Sequence, residues 1–456
     1  MSDWIEEELR HTQMSDLRLR KRLAKLVETL SKSPEKSIPA SCVTWSETIG
    51  AYRFLDNPSV TPEDILSGHR EALYDRTKQE DVVIVAQDTT FITHLIDNGD
   101  KGYGTITASD TEQYLLHPAV VFNDRGVNLG VMGADFWQRG ESLDREVRRR
   151  QPIEEKESYR WLEGYDCACE LQNQAPETLV ISVGDRESDI HELYDYAQLQ
   201  ALSRRAEFIV RAKLNRRIEK KDGEIDYLWE VMAASQSLGR HTFMTPRTRR
   251  KAPRKVSVDL FVETVTLLGR ENDGKNPVTL YAVFAKEQRP PTGEEGVEWM
   301  LLTSLPVEDF NTAQTIVGWY KQRWEIEIYF RLLKQGCKIA KLRLETQARL
   351  HNAISVYLIV AWRLHFITMM SRDYPEIAAD YIYSAREWQT IYTMCLKKKP
   401  PKHPPSIRET TRMLARLGGF LARKHDGEPG IQTLWIGYQK LANYIEAFEF
   451  AGVFDE

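Results

Sequence analysis

Apolar residues recur at helical spacing near the start of the chain, where Leu19, Leu23, Leu26 and Leu30 share one face and Arg18, Arg20, Lys21, Arg22 and Lys25 stand beside them. That period predicts an amphipathic helix. A further helix is predicted after the turn Asp56-Asn57-Pro58, because Thr61-Pro62-Glu63-Asp64 supplies an N-cap, a proline at the first helical position and early acidic residues. From residue 81 the pattern changes to strands. DVVIVAQD, ending at Asp88, is a short apolar run with β-branched residues, and HPAVVFND and VNLGVMGADFW read as a hairpin about Asp124-Arg125-Gly126. A charged helix over 158–172, the strand TLVISVGD, the helix SDIHELYDYAQL and the strand FIVRAK follow. The resulting β-β-β-α-β-α-β order suits a mixed sheet flanked by helices. Residues 222–308 interrupt it with the strand-like segments KVSVDLFVETVTLLG, VTLYAVFAKE and VEWMLLTSL, which predict an inserted β subdomain. A long helix then begins near Phe310 and runs past Lys334, and the rest is helical with a loop at KKKPPKHPPS.

The fold class expected is therefore α/β, in an α+β multidomain arrangement: helical residues 1–75, a mixed-sheet core over 76–370 with its insertion, and helical residues 371–456. At 456 residues and 42% hydrophobic content the chain can bury a large core, which excludes a disordered protein. Its five cysteines form no C-x-x-C pair, so neither a disulfide framework nor a thiolate zinc site is expected, and a reducing cytoplasm fits. The charged N-terminus is unlike a signal peptide, and the most apolar run, 356–362, stops at Arg363, so no membrane span is expected. A formal net charge of −5 argues against a basic footprint over the whole chain. Basic residues nevertheless crowd into 18–25, 204–221, 240–255, 321–349 and 397–402, a segmented surface for a polyanion. No G-x-S-x-G elbow and no H-E-x-x-H spacing occurs, which leaves a serine hydrolase and catalytic zinc without support.

Asp88 and Asp185 each close a strand, where α/β sheets expose functional groups. Taken singly, each reads as a turn or helix cap. In YKQRWEIEIYFRLLK, Tyr320, Arg323, Glu327 and Lys334 fall on one helix face, Glu325 points elsewhere, and Ile326, Phe330 and Leu333 form the apolar side. By itself this is an amphipathic helix with ion pairs. Together the residues suit phosphodiester chemistry, which needs an activated nucleophilic oxygen and a neutralised leaving oxygen. Two Mg2+ ions do both, and they take oxygen ligands from a few carboxylates. Flanking cations would hold phosphates that bare carboxylates repel.

AQDTT around Asp88, VGDRESDIHEL around Asp185 and the Y-x2-R-x3-E-x6-K signature from Tyr320 to Lys334 resemble, in order, the bacterial insertion-sequence-four family of DDE cut-and-paste transposases. GAYRFLDNP and LARLGGFLARKHDGEPGIQTLWIGYQKL extend the resemblance over nearly the whole chain. It implies an RNase H-like core between a DNA-end-binding N-terminal domain and a C-terminal dimerisation domain. Asp88, Asp185 and Glu327 are implied as ligands of two Mg2+ ions, with Mn2+ able to substitute, and Tyr320, Arg323 and Lys334 as contacts to DNA phosphates. Trp299 lies where family members place an aromatic that receives a flipped base, and Arg211 and Lys213 are candidate contacts to the same DNA end. The route implied is nicking, hairpin formation and joining of the 3′ ends to target DNA. The implied partners are double-stranded DNA and a second copy in a synaptic complex, in a bacterial, nucleoid-associated cytoplasmic setting, without membrane or organic cofactor. The alternatives are an RNase H-like structure-specific nuclease and an inert DNA-binding regulator. No residue is identified as a reader of bases.

Overall fold

The protein is described by a computed structural model covering residues 3–95, 111–139, 144, 147, 150–199, 205–220, 222–245, 253–269 and 275–452. The parts of the basic clusters at Arg204, Lys221 and 246–252 lie outside the described residues. Ahead of the first strand stand α1 (Asp3–Glu8), α2 (Leu17–Lys32), α3 (Ile38–Ser41), α4 (Trp45–Leu55) and α5 (Pro62–Thr77). As its periodicity predicts, α2 buries Leu19, Leu23, Leu26 and Leu30 and leaves Arg18, Lys21, Arg22 and Lys25 exposed. Capping boxes set the starts of α4, through Thr44 and Glu47, and of α5, through Thr61 and Asp64.

The first stretch of sheet comprises β1 (Val82–Gln87), β2 (Thr90–Leu95), β3 (Thr111–Asn123) and β4 (Asn128–Trp137). Then come α6 (Arg160–Gln174), β5 (Leu179–Gly184), α7 (His191–Leu199) and β6 (Glu207–Arg211). β3 pairs antiparallel with β4 on one side and with β1 on the other, while β1, β5 and β6 run parallel. The order β4-β3-β1-β5-β6, three strands antiparallel and then two parallel, is an RNase H-like core.

β7 (Arg217–Glu219) stands just ahead of the insertion, which holds β8 (Ile225–Tyr227), α8 (Leu228–Ala234), β9 (Gly239–Met244), β10 (Lys255–Leu267), β11 (Val278–Lys286) and β12 (Glu298–Thr303). Its strands prolong the central sheet: β12 pairs antiparallel with β6, Leu302 opposite Val210, and β11 and β10 follow. The free edge of β6, which would present unpaired N–H and C=O groups, is thereby covered.

Alternate side chains of the strands feed two cores. Val83 and Val85 of β1, Phe208 and Val210 of β6, and Met300 and Leu302 of β12 join one; Ile84, Ile209, Trp299 and Leu301 join the other. The second core is closed by α9 (Phe310–Gln322) through Ala313, Ile316, Val317 and Tyr320. The first is filled by α11 (Gln347–Asp373), which follows α10 (Trp324–Arg331). This 27-residue helix is long and apolar enough to cross a membrane, but 94% of its most apolar stretch is buried inside the fold. An all-round apolar helix is what the centre of a large core requires.

The chain ends in α12 (Ala385–Leu396), α13 (Ile407–Leu417) and α14 (Ile431–Phe450). A Cβ on Gly437 would lie 2.1 Å from the Leu414 carbonyl oxygen, so α13 and α14 touch backbone to backbone at this glycine. Leu414, Leu434, Trp435 and Leu441 of these two helices are buried within this chain.

Candidate active site

Parallel pairing fixes the first two carboxylates. Val85 is opposite Ser182 and Ala86 opposite Val183; two further steps bring Asp88 level with Asp185, across a strand spacing of about 4.8 Å. Both also make local backbone contacts, and Asp185 caps a short helical turn. Asp88 Oδ1 accepts from Thr89 N (2.8 Å), and Asp185 Oδ1 accepts from Glu187 N (2.7 Å) at the short turn Arg186–Ser188. Each of these local contacts occupies one carboxylate oxygen and leaves the other.

A buried polar group of residues backs Asp88. Thr89 Oγ1 bonds His117 Nδ1 at 2.9 Å, His117 Nε2 faces Gln87 Oε1 at 3.4 Å, and Gln87 Nε2 donates to Ser182 Oγ at 2.8 Å. Burial, with Arg160 adding to it, pushes the His117 pKa down to about 3, so the ring is neutral. Neither His117 nor Gln87 was singled out in the sequence; their partners lie on other strands.

Glu327 comes from α10, and Arg323 joins the two sides. Its Nη1 donates to Asp88 Oδ2 (3.0 Å) and its Nη2 to Glu327 Oε1 (3.3 Å). Burial, followed by the like charges of Asp185 and Glu327, pushes the Asp88 carboxyl up to about 6 against the pull of Arg323 and Thr89 N–H. Glu325 points away, as expected, toward His365 at 3.5 Å.

The helix is less regular than its periodicity predicts. It is interrupted at Arg323, where Arg323 N bonds Tyr320 O and Ile326 N bonds Arg323 O, both over three residues. It ends in a wider π turn, Leu332–Gly336, which carries Lys334. Lys334 feels the charge of Asp88, which opposes the lowering of its pKa by burial.

Tyr320 is only 3% exposed; its hydroxyl end lies against Arg323 and Arg211, and burial raises its pKa, leaving a neutral phenol. Burial lowers the Arg211 pKa, and Arg186 and Arg323 are among the charges it feels. Arg186, next to Asp185 in VGDRES, is a cation that lies outside the basic clusters of the sequence. Lys213 is exposed on the loop after β6, held by Asp189 Oδ2, which accepts from Lys213 N (2.7 Å) and Leu214 N (2.8 Å).

Trp299 is the residue whose surroundings differ most from its expected role. It is 5% exposed, stacks on Phe243 at 5.3 Å, and meets Tyr320 and Trp324 edge-on. In this conformation the indole supports Tyr320 from within the core and offers no open face to a base.

The donor set consists of hard oxygens, which fits divalent cations such as Mg2+. A buried carboxyl at Asp88 crowded by two others gains from a neighbouring cation, a position Arg323 takes in part. Among the described residues no three His, Cys, Asp or Glu side chains stand together as a metal-holding group, and Glu327, half exposed, lies across Arg323 from Asp88.

Residues 1–60 match the family model described as transposase DNA-binding, residues 166–363 the transposase DDE domain, and residues 359–456 the transposase Tn5 dimerisation domain. The DDE match includes Asp185 and Glu327 and begins after Asp88. A solved cryo-EM structure of a piggyBac transposase synaptic complex with hairpin DNA aligns over 82% of this chain and 72% of that one, at 10% identity and a TM-score of 0.33.

Proposed function

We propose, for a chain that its DNA-binding, DDE and dimerisation domains make a DNA transposase, that it binds the terminal repeats of its own insertion sequence, excises the element by nicking and hairpin formation, and joins the 3′ ends to target DNA. The observation that carries this reading is the convergence of Asp88 and Asp185, at the ends of adjacent parallel strands, with Glu327 through the shared guanidinium of Arg323. The domain division proposed with it is end binding over 1–75, catalysis over 76–370 and dimerisation over 371–456.

Asp88, Asp185 and Glu327 would hold two divalent ions, Mg2+ with Mn2+ as a substitute, which when bound supply an activated nucleophilic oxygen and neutralise the leaving one. The protein's own part is to bind and orient. Arg323 keeps Asp88 and Glu327 on one side of the reacting phosphate. Arg211, Lys334 and Lys213 hold the neighbouring phosphates. The Tyr320 phenol, neutral and set between two guanidinium groups, donates to a phosphate oxygen. Nicking, hairpin closure, hairpin opening and strand transfer are all in-line displacements at phosphorus, so one arrangement serves each. Acceptance of a flipped base by Trp299 requires its stack with Phe243 to part.

The test is single-turnover cleavage of a labelled end duplex, resolved into nicked, hairpin and joined products; end binding without any of them would favour the DNA-binding regulator. Arg323→Ala is expected to slow cleavage about 10²–10³-fold, the loss typical of removing one preorganised donor, with much smaller effect on duplex binding. Arg323→Lys keeps the charge but not the fork and should recover part of the rate. Binding and cleavage lost in parallel would confine Arg323 to docking DNA.

A further inference from the structure

The N-terminal segment carries an apolar pair that its own fold leaves uncovered: Val43 is 81% exposed and Trp45 is 76% exposed. The turn that presents them is locked. Glu47 Oε2 accepts from Val43 N (2.8 Å) and Thr44 N (3.2 Å), and Glu47 N donates to Thr44 Oγ1 (3.2 Å). Lys25 of α2 reaches Glu47 at 3.5 Å, which ties the turn to the neighbouring helix. Large apolar groups held rigidly in solvent and rimmed by charge mark an interaction surface.

Charge identifies the occupant. Arg18, Lys21, Arg22 and Lys25 stand at offsets 0, 3, 4 and 7, so they form one stripe on the exposed side of α2, about 10 Å long. Among the described residues Arg18, Lys21 and Arg22 have no ion-pair partner, so their charge is available to a ligand. The stripe runs to Lys25, the residue in contact with the turn beneath Trp45. A cationic track leading to an apolar tip matches duplex DNA, with phosphates along the track and base edges at its end. Phosphate contacts position a protein without reading sequence, whereas base edges specify, and the thymine methyl is the major-groove group that an apolar side chain recognises.

We propose that Val43 and Trp45 are base-reading contacts of the end-binding domain, directed at thymine, while Arg18, Lys21 and Arg22 bind the adjacent backbone. This rests on the proposed recognition of specific DNA ends and assigns its specificity to two side chains. Arg18 and its neighbours then set affinity for any duplex; Trp45 sets the preference for one.

The experiment uses the full chain and two duplexes: the sequence that the wild-type protein enriches from a random pool, and a scrambled duplex of equal length. Trp45→Ala is expected to weaken binding to the enriched duplex about 10–100-fold and to leave the scrambled duplex and the salt slope unchanged. Unchanged thermal unfolding will show that the fold is kept. Arg22→Ala should instead weaken both duplexes alike and reduce the salt slope by about 1. Replacing one thymine by uracil, which removes only the methyl, should reproduce the Trp45→Ala loss at a single position and add nothing in that variant. If Trp45→Ala binds both duplexes as the wild type does, or weakens both equally, the assignment is overturned while end recognition stands. If the wild type enriches no sequence, end recognition and the assignment fall together.

Discussion

Asp88→Ala, Asp185→Ala and Glu327→Ala are each expected to abolish cleavage and strand transfer, by at least about 10³-fold, while the protein still binds its DNA ends. The magnitude follows from the three acting as a unit: once one is removed, the other two cannot complete the site, and further removals cost little more. Binding should survive because these side chains present negative charge toward a polyanion, and their loss weakens repulsion. Cleavage and binding therefore separate, which distinguishes a metal-ligand role from a structural one. Asp88→Asn is the sharpest of the series, since it keeps the shape of the strand end and the acceptor for Thr89 N while removing the charge. A variant that cleaves at near the wild-type rate would take its residue out of the site.

The second large effect concerns stability. Glu8→Gln is expected to destabilise the protein by about 3–5 kcal/mol, the usual result of removing one partner of a buried charge pair. Arg76 Nη1 and Nη2 donate to the two Glu8 oxygens, both at 2.9 Å, and Arg76 Nε donates to Leu129 O. The guanidinium also lies over the Trp362 ring at 4.4 Å, so α1, α5, β4 and α11 meet at this one side chain. His69 completes the group: its Nε2 accepts from Val131 N, which leaves the proton on Nδ1 for Glu8. The ring is therefore neutral, in keeping with burial lowering its pKa.

Acid should undo this arrangement. Burial alone would raise the Glu8 pKa, but Arg76 and His69 bring it from 4.5 down to about 2. A carboxyl with a depressed folded pKa adds stability that is complete above its unfolded value and is lost as pH falls from about 4.5 toward 2, about 3 kcal/mol in all. His69 acts in the same direction from a higher pH, because the unfolded ring takes up a proton that the buried one resists. Urea unfolding midpoints between pH 7 and 3 should fall for the wild type and fall less for Glu8→Gln. Equal slopes would remove Glu8 from the linkage.

Much of the candidate site was legible in the sequence because its parts follow local rules. Strand ends singled out Asp88 and Asp185, and a helical offset put Tyr320, Arg323, Glu327 and Lys334 on one face, but only the resemblance to DDE transposases joined the two sets. The irregularities of that helix escaped, since the tight turn at Arg323 and the π turn at Lys334 leave its periodicity nearly unchanged. Trp299 escaped for a different reason: a tryptophan in an alternating strand fits a core or a binding face equally well until Phe243 and Trp324 are placed beside it. The insertion read as a separate β unit because sequence gives no sign that β12 will pair with β6. The Glu8–His69–Arg76 group joins residues more than 60 positions apart, beyond any local pattern. Val43 and Trp45 were invisible as a site because exposure is a property of the folded chain.

The most direct test of the central claim is incubation of the full chain with a labelled duplex bearing its enriched end sequence, with and without Mg2+, each strand being followed on a denaturing gel. A nick at the element's end followed by a hairpin, both only with the metal, is the expected result. A duplex bound but left intact in Mg2+ and in Mn2+ would contradict it.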